Sequence, residues 1–161
     1  ARQGKRLFME LTFENIKDGD FDAVSDLMMN MYNHHLKRYY TEKGDASFRK
    51  DVSAKALKKR AGKGAYIYSV KEGDELVGVL EFNSKNLAQF FIVDEFRGRG
   101  YGRMTINWLK SFYKEHKLAQ EVIVKASPNA YLAFEKMGFA PIGIEKNDGV
   151  LICKEMSIGL N

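Results

Sequence analysis

The stretch Phe90-Phe91-Ile92-Val93-Asp94-Glu95-Phe96-Arg97-Gly98-Arg99-Gly100-Tyr101-Gly102-Arg103 constrains the fold more than any other part of the 161-residue chain. An apolar run that reads as a buried strand ends at Val93. A short turn follows, and glycines at alternate positions open a helical pattern from about Gly100 to His116. A helix start leaves N–H groups without intrahelical partners, and the positive end of the macrodipole lies behind them. Bare backbone at Gly98, Gly100 and Gly102 lets an anion reach those groups, and Arg97, Arg99 and Arg103 add positive charge. Such a cradle suits a diphosphate. Without a ligand, each glycine would cost roughly 0.5–1 kcal/mol against alanine, a poor way to begin a helix. Two other phosphate-binding loops do not fit. The dinucleotide fingerprint needs a glycine at the sixth position, which here is Arg103, and a hairpin rather than a βαβ unit precedes the turn. The NTPase loop needs Gly-Lys-Ser/Thr, and no such string occurs.

The remaining periodicities give the order of elements. Phe8 to Phe13 alternates as a strand, and Phe21, Val24, Leu27, Met28 and Met31 recur at helical spacing after Asp20. Asn33 to Gly44 is polar and aromatic and reads as a loop, and a weaker helix covers roughly Ser47 to Ala61, ended by Gly62 and Gly64. Ala65 to Val70 and Leu76 to Phe82 form a hairpin about Glu72-Gly73-Asp74, and Asn86 to Val93 is a third strand. The helix from Gly100 turns Met104, Trp108, Leu109 and Phe112 inward. A strand at Glu121 to Lys125, a short helix from Pro128 to Met137, and strands near Phe139 to Ile144 and Val150 to Met156 complete the chain. Without repeats or a linker, this order implies one α+β domain over residues 1–161, a mixed sheet flanked by about four helices.

Composition narrows the setting. The lone Cys153 permits no internal disulfide, suits a reducing compartment, and reads as a small buried apolar residue on a closing strand. No run approaches the ~20 apolar residues of a membrane span, and nothing near the first residues resembles a signal peptide, so the expected compartment is the cytoplasm. Eight basic residues against three acidic ones between Glu42 and Lys63 account for the whole net charge of +5. This block reads as a solvated helix face. It lacks the interleaved aromatics of a single-strand binder, which argues against nucleic acid as a partner. Three scattered histidines and one cysteine support neither a metal site nor a Cys-His nucleophile.

The glycine loop, with Ser127-Pro128-Asn129-Ala130-Tyr131-Leu132-Ala133-Phe134-Glu135-Lys136-Met137-Gly138-Phe139 downstream, resembles the GNAT superfamily of acetyl-CoA-dependent N-acetyltransferases. The family loop Arg/Gln-x-x-Gly-x-Gly/Ala is matched by Arg97, Gly100 and Gly102, and the family's closing Gly-Phe by Gly138-Phe139. The order of elements is also similar from end to end. The resemblance implies that acetyl-CoA lies in a gap where the strand at Asn86–Val93 and the strand from Glu121 splay apart. The backbone of Phe91, Ile92 and Val93 would pair with the pantetheine arm. The segment Arg97, Gly98, Arg99, Gly100, Tyr101, Gly102 and Arg103 would hold the pyrophosphate, and an amide near Phe90 would polarise the thioester carbonyl. An amine of a small molecule or peptide would accept the acetyl group directly. A homodimer stays open.

Proton transfer departs from the family pattern. The usual proton-donating tyrosine falls on Phe134, whose ring cannot donate, which leaves Tyr131 one helical turn earlier as the candidate acid. The usual glutamate falls on Asn86, so Glu81 on the neighbouring strand is the candidate base. Ser127 takes the place of a cofactor-binding asparagine and also reads as an N-cap before Pro128. His34 and His35 lie in the loop that would border the acceptor. A reading from another class is also open: a fold of this type that binds CoA, or offers its basic face to nucleic acid, with little transfer activity.

Overall fold

The computed structural model describes residues 10–161. The first strand, β1, spans Leu11–Asn15, so Phe8 and Met9 of the expected strand lie outside the described residues. Helix α1 (Phe21–Met31) buries Phe21, Val24, Leu27, Met28 and Met31, the stripe its sequence spacing specifies. The chain then makes a wide π-helical turn at Tyr32–Leu36 and a 3-10 turn at Lys37–Tyr39. Two helices follow, α2 (Glu42–Asp51) and α3 (Ala54–Gly62). Strands β2 (Tyr66–Glu72), β3 (Glu75–Phe82) and β4 (Asn86–Ile92) lead to α4 (Tyr101–His116). Strand β5 (Glu121–Ala126), helix α5 (Tyr131–Lys136), β6 (Ala140–Pro141), β7 (Lys146–Asn147) and β8 (Ile152–Gly159) complete the chain.

The sheet runs β1-β2-β3-β4-β5-β8-β6, with β7 on β8. Every pairing is antiparallel except β4 with β5, so the sheet is mixed as expected. One face carries α4 and α5 over a core that includes Val77, Leu80, Phe82, Ile106, Leu109 and Met156. The other face carries α1, α2 and α3 over Val24, Met28, Leu57, Ile67 and Val79. Trp108 of α4 stacks on Phe13 at 4.8 Å and touches Tyr68 at 4.8 Å, so aromatic rings tie the long helix to β1 and β2.

Three sequence expectations are corrected. The single weak helix over Ser47–Ala61 is two helices, which makes five α-helices among the described residues. Thr41 Oγ1 accepts the Gly44 N–H at 2.9 Å and caps α2; Ser53 Oγ accepts the Ala56 N–H at 3.2 Å, caps α3 and breaks the run. The expected strand Phe139–Ile144 shrinks to two residues because Pro141 cannot donate to a ladder and Gly143 favours a bend; Ile142 and Ile144 are left exposed. Met104 is exposed, since the buried arc of α4 is Tyr101, Thr105, Ile106, Leu109, Phe112 and Tyr113, and Met104 falls outside it.

The segment after α1 docks on the far half of the sheet. The Thr41 N–H donates to Val150 O at 2.9 Å, and its hydroxyl donates to Gly149 O at 2.9 Å. Tyr40 bridges Leu151 in antiparallel fashion. Gly44 completes the fit, for a Cβ there would stand 2.0 Å from Val150 O. Asp148 shapes the receiving hairpin by accepting the N–H groups of Val150 and Leu151 at 2.9 and 3.0 Å and the Lys125 ammonium at 3.1 Å.

Gly44→Ala is therefore expected to cost about 2 kcal/mol or more through backbone overlap. Gly62→Ala, at a helical site with open space, should gain up to about 1 kcal/mol. Thermal and urea unfolding measure both. Burial pushes the Asp148 carboxyl up, but the Leu151 and Val150 amides and Lys125 outweigh it and hold the group at about 2, below its ordinary 3.8. A depressed carboxyl stabilises above its unfolded value and loses that contribution as pH falls through its folded value. Asp148→Asn should thus lose about 1 kcal/mol near neutrality, and the difference from the natural chain should vanish between pH 4 and 2.

Candidate active site

Strands β4 and β5 pair only at Asn86↔Ile123 and Leu87↔Val124 and then diverge. Beyond that point β4 stays on β3, and β5 stays on β8 along its whole length from Glu121↔Gly159 to Ala126↔Lys154. A bulge sharpens the divergence: Glu81 faces Gln89 while Phe82 faces Leu87, so Ala88 is the extra residue on β4. The Val93 N–H donates to Val77 O at 2.9 Å. Antiparallel alternation then turns Phe91 toward β3 as well, and turns the N–H and C=O of Phe90 and Ile92 into the gap. Of the three residues expected to meet a ligand arm through their backbone, Ile92 alone faces the gap; Phe91 and Val93 are committed to β3. Phe90, expected only for its amide, shares that open edge.

The gap ends at the glycine loop. A 3-10 turn, Asp94–Phe96, leads to Gly98 and Gly100, both at φ +79°, where side chains are strained. Gly100 is the N-cap of α4, and the first helical bond runs from Met104 N–H to Gly100 O at 3.0 Å. The N–H groups of Tyr101, Gly102 and Arg103 therefore have no intrahelical acceptor. Gly102 has a different reason to be glycine: a Cβ would stand 3.0 Å from Met137 Sδ, so it lets α4 approach the end of α5.

The surrounding side chains are partly occupied. Tyr101 is buried, lies parallel to Phe96 and donates its hydroxyl to Glu72, so only its backbone faces the loop. Arg99 lies over the Phe96 ring at 5.1 Å, Arg97 Nε donates to Asp94 Oδ1 at 3.0 Å, and Arg103 donates to the Lys136 carbonyl. All three arginines are exposed, so their charge still bears on the cradle.

Phe134 lies buried with its ring 6.3 Å from Phe90 and 5.1 Å from Phe139, beside the mouth of the gap. Neither expected proton-transfer group stands ready. The Tyr131 hydroxyl donates to Glu145 Oε1 at 2.9 Å under the Lys154 ammonium, and burial, then that carboxylate, pushes the phenol up to about 12. Glu81 is buried, and both its oxygens are held by Arg60, Nε to Oε2 at 2.8 Å and Nη2 to Oε1 at 3.0 Å. Arg60 also donates to Asp51 O at 2.7 Å, locking the elbow between α2 and α3 to β3. This clamp could not be read from the sequence, because its partners lie 21 residues apart on different elements. Ser127 is the N-cap of the turn Pro128–Ala130, but its buried hydroxyl donates to Asn129 Oδ1 and accepts from no amide of the turn.

The outlying candidates separate. His34 Nδ1 meets Asn30 O at 2.7 Å on its own helix side, whereas His35 Nε2 meets both oxygens of Asp94 at 2.9 and 3.0 Å. The basic block is interleaved with carboxylates: Arg49 pairs with Asp45, Arg60 with Glu81, and Lys58 reaches Asp18. Cys153 is fully buried, and burial pushes its thiol up. Among the described residues no three His, Cys, Asp or Glu side chains gather to hold a metal ion, and no helix is long and apolar enough to cross a membrane.

Residues 36–160 match the acetyltransferase (GNAT) domain family. No curated protein matches the chain. Among solved structures, a GCN5-related N-acetyltransferase from Rhodopseudomonas palustris is similar over 92% of this chain and 94% of its own, with a TM-score of 0.74 at 16% identity. The PaiA N-acetyltransferase from Thermoplasma acidophilum, in complex with coenzyme A, is similar over 94% of this chain and 99% of its own, with a TM-score of 0.72 at 13% identity. Spermidine N-acetyltransferase from Vibrio cholerae, in complex with CoA and spermine, covers 93% and 95%, with a TM-score of 0.65 at 20% identity. With a diverging strand pair that opens onto a glycine-capped helix, and a family match over most of its length, the chain belongs to the GNAT acetyltransferases.

Proposed function

We propose that this protein transfers an acetyl group from acetyl-CoA directly to a primary amine of a small molecule or peptide. The observation that carries this reading is the continuity of two unsatisfied backbone surfaces. The open edge of β4 at Phe90 and Ile92 runs into the free N–H groups at the start of α4. An extended, amide-bearing arm suits the first and a diphosphate suits the second. Acetyl-CoA has both, in that order, and supplies the acetyl group activated as a thioester.

This chain's residues then do three things. The Ile92 backbone and the cradle amides bind and orient, so that much of the rate comes from alignment. The Phe90 N–H, turned into the gap, stabilises negative charge as it develops on the carbonyl oxygen. Phe90, Phe134 and Phe139 keep the reacting end apolar. Proton transfer falls to solvent. Glu81 is held by Arg60, and a phenol at about 12 gives its proton uphill to a thiolate whose acid lies near 8.5. The amine must then lose its proton to water before it attacks.

Three outcomes are expected. Gly100→Glu sets a carboxylate and a strained φ in the cradle, and calorimetry should show CoA affinity lowered at least about tenfold in a folded variant; unchanged affinity removes the cofactor reading. Phe134→Tyr restores a donor beside the gap and should raise kcat by about tenfold for weakly basic amines. If CoA binds yet no thiol is released across a broad amine panel, the chain is a CoA-binding module instead. For a productive amine, kcat/KM should rise with pH to the amine's own pKa, and Glu81→Gln should leave the shape of that profile intact. A lost inflection would restore Glu81 as the base.

A further inference from the structure

Asp94 serves two parts of the molecule at once. It follows β4 and opens the turn into the glycine loop. On one side its carboxylate takes Arg97 Nε at 3.0 Å, from the first residue of that loop. On the other, both its oxygens accept from His35 Nε2 at 2.9 and 3.0 Å. His35 stands on the wide π-helical turn Tyr32–Leu36, and that turn continues into the segment docked on the β7–β8 hairpin through Thr41 and Tyr40. Residues 35–41 thus form a strap across the two halves of the sheet that the β4–β5 divergence separates. One end of the strap is held by two backbone-directed bonds of Thr41 on Val150 and Gly149. The other is held by the His35–Asp94 contact.

That second anchor is shared. Arg97 is about half exposed, with a side-chain exposure of 55%, and shares the carboxylate with His35. A diphosphate in the cradle carries more negative charge than one carboxylate and offers a guanidinium a bidentate partner.

We propose that Asp94 is a positioning residue that couples occupancy of the cradle to the strap. A bound diphosphate draws Arg97 away, leaves the Asp94 carboxylate wholly to His35, and tightens the strap over the gap, so that the acceptor side is completed only once coenzyme is in place. The inference rests on the acetyl-CoA reading above. Coupling of this kind is reciprocal, so whatever steadies the strap also strengthens coenzyme binding by the same factor. The charged groups around His35 are Asp94 and Arg97 from the loop side, His34 with its ring 6.2 Å away, and Lys37 and Arg38 on the following turn.

The His35 ring gives a readout that a purely structural role would not move. In labelled intact protein, its titration is followed by NMR with and without saturating CoA, and binding is checked separately by thermal shift. Loss of the Arg97 charge from Asp94 should raise the His35 midpoint by about half a unit or more. In Arg97→Met the midpoint should already be raised, and saturating CoA should move it by less than a third as much. In Asp94→Asn, CoA should leave it nearly still. A midpoint that stays fixed in the natural chain while CoA raises the melting temperature overturns the coupling alone, as does an equal movement in Arg97→Met. A melting temperature that CoA does not raise overturns the acetyl-CoA reading, and this inference with it.

Discussion

The two-residue parallel contact between β4 and β5 is the constraint on which the rest depends. Four antiparallel strands on one side and the β5–β8–β6 group with β7 on the other are each well bonded, yet they share only Asn86↔Ile123 and Leu87↔Val124. Exposed strand edges cost backbone hydrogen bonds and invite pairing with other chains. This edge opens into the gap between the two halves, where Phe90 and Ile92 are only half-buried. The halves are also joined by other means: Ile106 and Leu109 of α4 share one core with Leu80 and Phe82 of the first half and Val122, Val124 and Met156 of the second, and the strap fixes α1 and α2 to the β7–β8 hairpin. Gly44 and Asp148, far from the cradle, therefore bear on the width of the gap.

Much of this was legible in the sequence, and the legible parts share a cause. Strong periodicity wrote α1, the β2–β3 hairpin and α4, and special backbone geometry wrote Gly98 and Gly100. The positions that escaped were set by partners distant in sequence. Gly44 looks like a helix breaker until Val150 is seen against it, so the segment before Ser47 reads as a loop. Glu81 looks like an exposed strand carboxylate until Arg60 arrives from α3. The strand expected at Phe139–Ile144 shrinks because Pro141 and Gly143 act locally, and the one expected at Val150–Met156 runs from Ile152 to Gly159 because its pairing is decided by β5. In the gap itself, alternation along β4 could have been applied to the sequence, but its phase is fixed only by the bond from Val93 to Val77.

The site residues divide along the same line. Backbone forms the open edge of β4 and the start of α4, and backbone tolerates side-chain variation, which is how a chain 13–20% identical to its structural neighbours keeps the same fold. The side chains expected to transfer protons are otherwise engaged, Tyr131 by Glu145 and Glu81 by Arg60, and Phe134 beside the gap has no proton to give.

These departures fit together physically. An apolar wall of Phe90, Phe134 and Phe139 would strengthen the electrostatic effect of the Phe90 amide, because field strength rises as water is excluded. The same wall would make a buried general base costly, since a carboxylate there would lose its hydration without a partner. Glu81 lies on the other face of the sheet, buried and bound through both oxygens by Arg60, and the pair fixes α3 against β3. In the proposed reaction such a site depends on alignment and a preorganised amide, which favours amines already deprotonated at working pH. Strongly basic amines, mostly charged near neutrality, would react through a small neutral fraction.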